Sequence, residues 1–255
     1  MKFDADREGT GTAEWAEVTE NICRGCANNC LYCYAAHNAN RFNLRKRDDW
    51  AREELTKRSL IKSYPAKNGI VMFPSSHDIT PFNLESCIRV LTLMLKKGNQ
   101  VLIVTKPRAS CIEALLNDLA PWKDQILFRF TIGSMNDATC FFWEPGAPSP
   151  FERLGCLRDA FEAGFKTSVS IEPMLAGVDS TLHVVDHVQD YVTDTIWIGK
   201  MNKTNLRVDK AFRAEVANIE KLQADDEIMR LHRYLDAHPL VRWKDSIKEV
   251  LARAL

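Results

Sequence analysis

Six short runs of apolar and β-branched residues, each followed by a longer stretch of helical period, constrain this chain more than any other feature. The runs cover residues 16–22, 69–73, 100–105, 126–132, 167–171 and 194–199. Between them, 84–97 carries Leu84, Ile88, Leu91 and Leu95 on one helical face and stops at Gly98. Ser110 is placed to cap a helix reaching Leu119, and 150–163 forms another that ends at Gly164. Residues 182–192 make a shorter helix, 211–237 read as one or two terminal helices, and 46–63 are expected to be helical too. Strand and helix alternating in this way predict parallel strands joined by crossover helices that cover the sheet. An open (β/α)6 barrel and a doubly wound sheet both satisfy the pattern, and in either the chemistry belongs at the C-terminal ends of the strands.

The chain has 255 residues, enough for one large domain or two small ones. It has no internal repeat, low-complexity tract or linker. A single α/β domain over 1–255 is therefore expected, with a core at about 15–200 and a C-terminal helical extension at about 205–255. At 45% hydrophobic and 27% charged residues, global disorder is excluded. Lysine plus arginine equals aspartate plus glutamate at 34 each, which excludes a body that grips nucleic acid by overall charge but leaves room for a local basic face. Residues 1–8 are polar, and no run reaches the ~18 apolar residues of a membrane span. A cytoplasmic protein without a membrane partner is expected.

Four of the eight cysteines, Cys23, Cys26, Cys30 and Cys33, fall within eleven residues. The other four, Cys87, Cys111, Cys140 and Cys156, are scattered and expected to be buried as small hydrophobes. Two C-x2-C pairs suit a four-cysteine zinc site in a non-catalytic interaction module, although zinc pairs usually come from separated knuckles. Closely spaced thiolates on one loop suit an iron–sulfur cluster.

The subset Cys26-x3-Cys30-x2-Cys33, with Tyr32 before the last cysteine, resembles the signature of radical S-adenosylmethionine (SAM) enzymes. Further segments resemble the spore photoproduct lyase-like group in the same order along the chain. These are Tyr32-Cys33-Tyr34, Ser75-Ser76-His77-Asp78-Ile79, Val104-Thr105-Lys106, 128–132 and 144–150. The resemblance implies a partial (β/α)6 TIM-like barrel with C-terminal helices. It also implies a [4Fe–4S] cluster on Cys26, Cys30 and Cys33, with S-adenosylmethionine at the open iron, cleaved by one-electron reduction to a 5′-deoxyadenosyl radical that abstracts a hydrogen atom from a substrate. Cys23 is then a spare thiol. A flavodoxin or ferredoxin is the implied electron donor, and nucleic acid or a nucleotide is the suggested substrate.

Carried over position by position, Tyr34, Ser75, Ser76, Lys106 and Thr131 are the implied S-adenosylmethionine contacts. An ammonium at a strand end suits the methionine carboxylate, and hydroxyls suit the amino group or ribose. Glu172, ending the fifth run, is a candidate for the ribose hydroxyls or the substrate. His77 and Asp78 are candidates to orient the adenosyl group or to cap the next helix, and Lys200, Asn202 and Lys203 to contact substrate. The interleaved basic and aromatic run at 41–47 suits a phosphate-bearing ligand or a solvated helix start. Where the lyase has a hydrogen-donating cysteine this chain has Phe73 and Pro74, so the same repair chemistry is not expected.

Overall fold

The apolar runs form a barrel wall. In the computed structural model, which describes residue 3 and residues 9–254, nine strands form. In chain order they are β1 (Val18–Thr19), β2 (Cys23–Arg24), β3 (Glu54–Leu55), β4 (Ile70–Phe73), β5 (Gln100–Thr105), β6 (Ile126–Thr131), β7 (Lys166–Ile171), β8 (Ile196–Ile198) and β9 (Val241–Trp243). Seven of them make one parallel sheet in the order β1-β4-β5-β6-β7-β8-β9, while β2 and β3 pair antiparallel as a separate ribbon. The polar segment 1–8, read above as lacking a leader, lies almost wholly outside the described residues. Among those described, no helix is long and apolar enough to cross a membrane.

Alternate residues of each strand serve two cores. Val71, Phe73, Val101, Ile103, Phe128, Phe130, Val169, Ile196 and Ile198 face the helices Leu84–Leu95, Ala109–Leu119, Pro150–Glu162 and Val178–Val188. Ile70, Met72, Leu102, Leu127 and Trp197 face the barrel interior, where Phe3, Trp15 and Ala16 join them. Two buried cations share that interior. The Arg129 guanidinium lies 4.7 Å from the Trp15 ring and donates to the Ser168 hydroxyl at 2.9 Å. The Lys244 ammonium lies 4.3 Å from the same ring. This layer plugs the barrel and leaves a cavity towards the C-terminal ends of the strands.

Three expectations are corrected. Residues 46–63 are mostly turns, with β3 and one short helix, Lys57–Ile61, because this segment is tied to the cysteine loop by tertiary contacts. Ser110 lies inside the helix Ala109–Leu119 and does not cap it; Arg108 holds the cap position. The C-terminal stretch is helical at Arg213–Leu222, Asp225–Leu235 and Asp245–Ala254, but it also supplies β9, whose Val241 pairs with Ile196 of β8.

Candidate active site

The cysteine loop runs from the end of β1 into the helix Tyr34–Arg41. Cys33 caps that helix, its sulfur accepting from the Ala36 N–H at 3.4 Å. Cys26, Cys30 and Cys33 all line one cavity of about 810 Å³ above the barrel plug. Cys23 does not. It sits in β2 with its thiol against the Arg24 carbonyl, so the fourth ligand of the alternative zinc site stands apart from the other three. Among the described residues, no three His, Cys, Asp or Glu side chains gather around a single metal position.

Buried polar groups hold the loop in shape. Asn28 donates to Asp78 at 2.9 Å and accepts from Arg108 at 2.8 Å, and the Leu31 N–H reaches the Trp143 carbonyl at 2.9 Å. A Cβ on Gly146 would lie 2.1 Å from the Ala27 carbonyl oxygen, so only glycine lets the segment after Glu144 lie against the loop. Asp78 also accepts from the Thr105 hydroxyl and the Lys106 N–H, joining the loop to the end of β5. Burial works to raise the Asp78 carboxyl, but the Lys106 charge and these donors outweigh it and hold it below its ordinary range. Burial pushes the Cys30 thiol up to about 12 and raises Cys26 and Cys33 as well. Without a cation these sulfurs keep their protons.

All six implied cofactor contacts line the same cavity. The Tyr34 hydroxyl donates to the Ser75 carbonyl, and the Asn21 side chain grips the Ser75 and Ser76 N–H groups at 2.8 Å each. The Lys106 ammonium is almost buried, 3.7 Å from Glu144. Burial disfavours its charge, yet Cys30, Glu144 and Asp78 together raise it above the lysine range. Thr131 ends β6 opposite Ser170 on β7. Glu172, just beyond β7, is 3.6 Å from Lys244. Burial moves its carboxyl up to about 7, with Lys244 pulling the other way.

Other residues separate from the cavity or join it. His77 lines the cavity but is mostly buried, accepting from the Ile22 N–H through Nε2 at 3.2 Å, so it buttresses the strand ends. Burial lowers its pKa and keeps the ring neutral. Lys200, Asn202 and Lys203 line the cavity, as does Arg207, whereas no basic residue of 41–47 does. Cys140 donates to the Ser134 carbonyl at 3.3 Å away from the cavity. Phe142 and Trp143 pack beside Cys30 and Tyr32, while Phe141 is exposed.

Several site residues were assigned no role from sequence. Glu144 accepts from the Tyr32 hydroxyl and pairs with Arg153 at 2.6 Å, both side chains fully buried. Lys244 pairs with Glu14 and donates to the Gly11 carbonyl at 2.7 Å, bringing the N-terminal turn and β9 to the cavity rim. The Ser170 hydroxyl and the Trp15 indole N–H are buried on cavity-lining residues with no hydrogen-bond partner in the described structure. A lone inward serine or tryptophan in sequence gives no hint of such a role.

No known protein-family profile matches the chain. A curated relative, the uncharacterized protein ORF301 of Acidianus two-tailed virus, is 30% identical over 166 residues, 60% of this chain and 54% of its own. The chain thus spans about half the length of that relative. Among solved structures, a cysteine-to-alanine variant of spore photoproduct lyase superposes with a TM-score of 0.60 at 14% identity, covering 95% of this chain and 78% of its own. Another variant of that lyase, solved with AdoMet and dinucleoside spore photoproduct bound, gives 0.58 at 14% identity with the same coverage. Streptococcus suis SuiB bound to its precursor peptide SuiA gives 0.52 at 13% identity, over 72% of this chain and 40% of that one. With its parallel sheet and these superpositions, the chain has the partial-barrel fold of spore photoproduct lyase, a radical SAM enzyme.

Proposed function

We propose that this chain is a radical SAM enzyme whose cluster ligands are Cys26, Cys30 and Cys33. The observation that carries the reading is the convergence of three thiols, Tyr34 and five strand-end polar residues on one cavity. The donor set fits such a group. Three soft sulfurs face the cavity while the fourth cysteine of the loop does not, and the orphaned Ser170 hydroxyl and Trp15 N–H are cavity groups that want a ligand. When bound, a [4Fe–4S] cluster with S-adenosylmethionine supplies, on one-electron reduction, a 5′-deoxyadenosyl radical able to take a hydrogen atom from a substrate.

The chain's own residues then bind and orient. Lys106 offers its ammonium to the methionine carboxylate, with Glu144 behind it keeping the charge in place. Tyr34, Ser75 and Ser76 serve the methionine amino group, and Thr131 and Glu172 the ribose hydroxyls. Met72 and Val104 on the cavity wall exclude water from the reacting centre. The cationic side of the cavity, with Lys200, Lys203 and Arg207, suits a phosphate-bearing substrate, a nucleotide or nucleic acid. The electron comes from a separate flavodoxin or ferredoxin, since the cysteines outside 23–33 are scattered through the core.

The test is low-temperature EPR of anaerobically reconstituted, dithionite-reduced protein with and without S-adenosylmethionine. A reduced [4Fe–4S] signal that shifts when S-adenosylmethionine is added is the expected result, and Cys30→Ala should lose it. Stoichiometric zinc with no iron–sulfur signal would overturn the reading.

A further inference from the structure

Trp50, in the turns that follow the helix Tyr34–Arg41, is tied to the cysteine loop by main chain and side chain alike. The Trp50 carbonyl accepts from the Cys26 N–H at 2.9 Å, and the Trp50 backbone N–H reaches the Arg47 carbonyl at 3.1 Å. Arg47 in turn donates to the Cys30 carbonyl at 3.0 Å. A Cβ on Gly25 would lie 2.8 Å from the Trp50 carbonyl oxygen, so loop and turn meet backbone to backbone. The Trp50 ring is 3% exposed and packs with Cys26, Ala35, Ala36 and Ala39, and Cys33 lies against the same group. Trp50 also lines the cavity that Cys26, Cys30 and Cys33 line. Yet its one polar side-chain atom, the indole nitrogen, is buried with no hydrogen-bond partner among the described residues. An indole N–H can only donate, and buried donors are seldom left unpaired. Cys26 supplies the complementary need. Its thiol donates to the Asp78 carboxylate at 3.5 Å, a bond that is lost when the sulfur becomes a thiolate, and the carboxylate then faces a like charge.

We propose that Trp50 is a positioning residue of the iron–sulfur cluster, its indole N–H donating to a sulfur at the Cys26 corner. The proposal rests on the functional reading above and adds how the chain sets the potential of that group. A hydrogen bond to a cluster sulfur draws negative charge away from it. The reduced cluster carries one more electron than the oxidised one, so it gains more from the bond and the reduction potential rises. The donor is fixed in place by the protein alone, because the ring is packed on the loop and both backbone groups of Trp50 are bonded. The N–H keeps its proton throughout, so Trp50 acts on the equilibrium of the electron and takes no part in the bond changes.

The test compares Trp50→Phe with Trp143→Phe in the anaerobically reconstituted chain. The second makes the same substitution in a buried ring beside Cys30 that does not line the cavity. Each protein is titrated between oxidised and reduced cluster without S-adenosylmethionine, with EPR as the readout. At the potential where the parent is half reduced, W50F should hold a ratio of reduced to oxidised cluster about ten-fold lower, a midpoint about 59 mV more negative. W143F should keep the parent's midpoint. In the parent labelled with indole-nitrogen-15 tryptophan, pulsed EPR of the reduced cluster should show a weak nitrogen-15 coupling that W50F lacks. Equal midpoints in W50F and the parent would overturn the assignment, and a larger S-adenosylmethionine requirement in that case would give the N–H to S-adenosylmethionine instead. Equal falls in both variants would also overturn it, making packing the cause. A labelled parent without the coupling would do so with no variant needed. These outcomes leave the functional reading standing, whereas a parent that assembles no cluster would overturn that reading and this inference with it.

Discussion

Glu144 joins three separate parts of the site. It receives the Tyr32 hydroxyl from the cysteine loop, the Arg153 guanidinium from a flanking helix and the Lys106 ammonium from the end of β5. Burial works to raise its carboxyl, but Arg153 and Lys106 outweigh that and hold it below the ordinary carboxylate range. Removing one partner of a buried pair leaves the other charged and alone, which costs about 3–5 kcal/mol. Glu144→Ala should lose about that much in urea unfolding of the cofactor-free chain. The double variant Glu144→Ala/Arg153→Met should lose less than the sum of the two single changes. Additivity within about 0.5 kcal/mol would separate the two residues and remove Glu144 from this role. Lys106 and Thr131 are candidates in sequence because strand ends are where such a fold does chemistry, and Tyr34 because it belongs to a segment that resembles the family. Glu144 opens the resembling segment 144–150, but its role could not be read there, since its partners lie up to 112 residues away in the chain and only the fold assembles them.

At the scale of elements, the barrel is closed on one side by pieces that the sequence hides. The runs at 100–105 and 126–132 match β5 and β6 to within a residue, because each holds all but one of its positions with apolar or β-branched residues. β9 has only three residues, too few for a pattern to stand out, yet it extends the sheet and sets Lys244 at its end. Segment 46–63 misleads in the opposite direction. Its charged residues have helical character, but contacts with the cysteine loop fix them as turns. Lys244 joins three elements through Glu14, the Gly11 carbonyl and Glu172. The Gly11 N–H returns the contact by donating to Asp245 at 3.2 Å. Lys244→Met leaves the buried Glu14 without its main partner. It should speed amide hydrogen exchange across 11–16 and 241–249 while β5 and β6 stay protected. Unchanged exchange in both segments would mean that packing of Trp15 against Trp197 alone holds this side of the barrel.

For the molecule as a whole, the buried carboxyls fall into two groups with opposite consequences for stability against pH. Asp78 and Glu144 are held below their ordinary values of 3.8 and 4.5. Their stabilisation is complete above those values and is lost as pH falls through the folded pKa. Glu172 is raised from 4.5 to about 7. In this range the folded chain keeps a proton that the unfolded chain has released, so the contribution is complete below 4.5 and disappears as pH rises through 7. His77, neutral and buried, works against Glu172 over part of this range, which flattens the total profile. The Glu172 component is isolated by comparing the parent with Glu172→Gln, where every other group is unchanged. A shift of about 2.5 units corresponds to at most about 3 kcal/mol, reduced because the side chain retains 23% exposure. The glutamine variant should therefore gain stability relative to the parent between pH 4.5 and 7.5, reaching about 2–3 kcal/mol by urea unfolding of the cofactor-free chain. A difference that does not change over this interval would mean that Lys244 compensates the Glu172 charge fully.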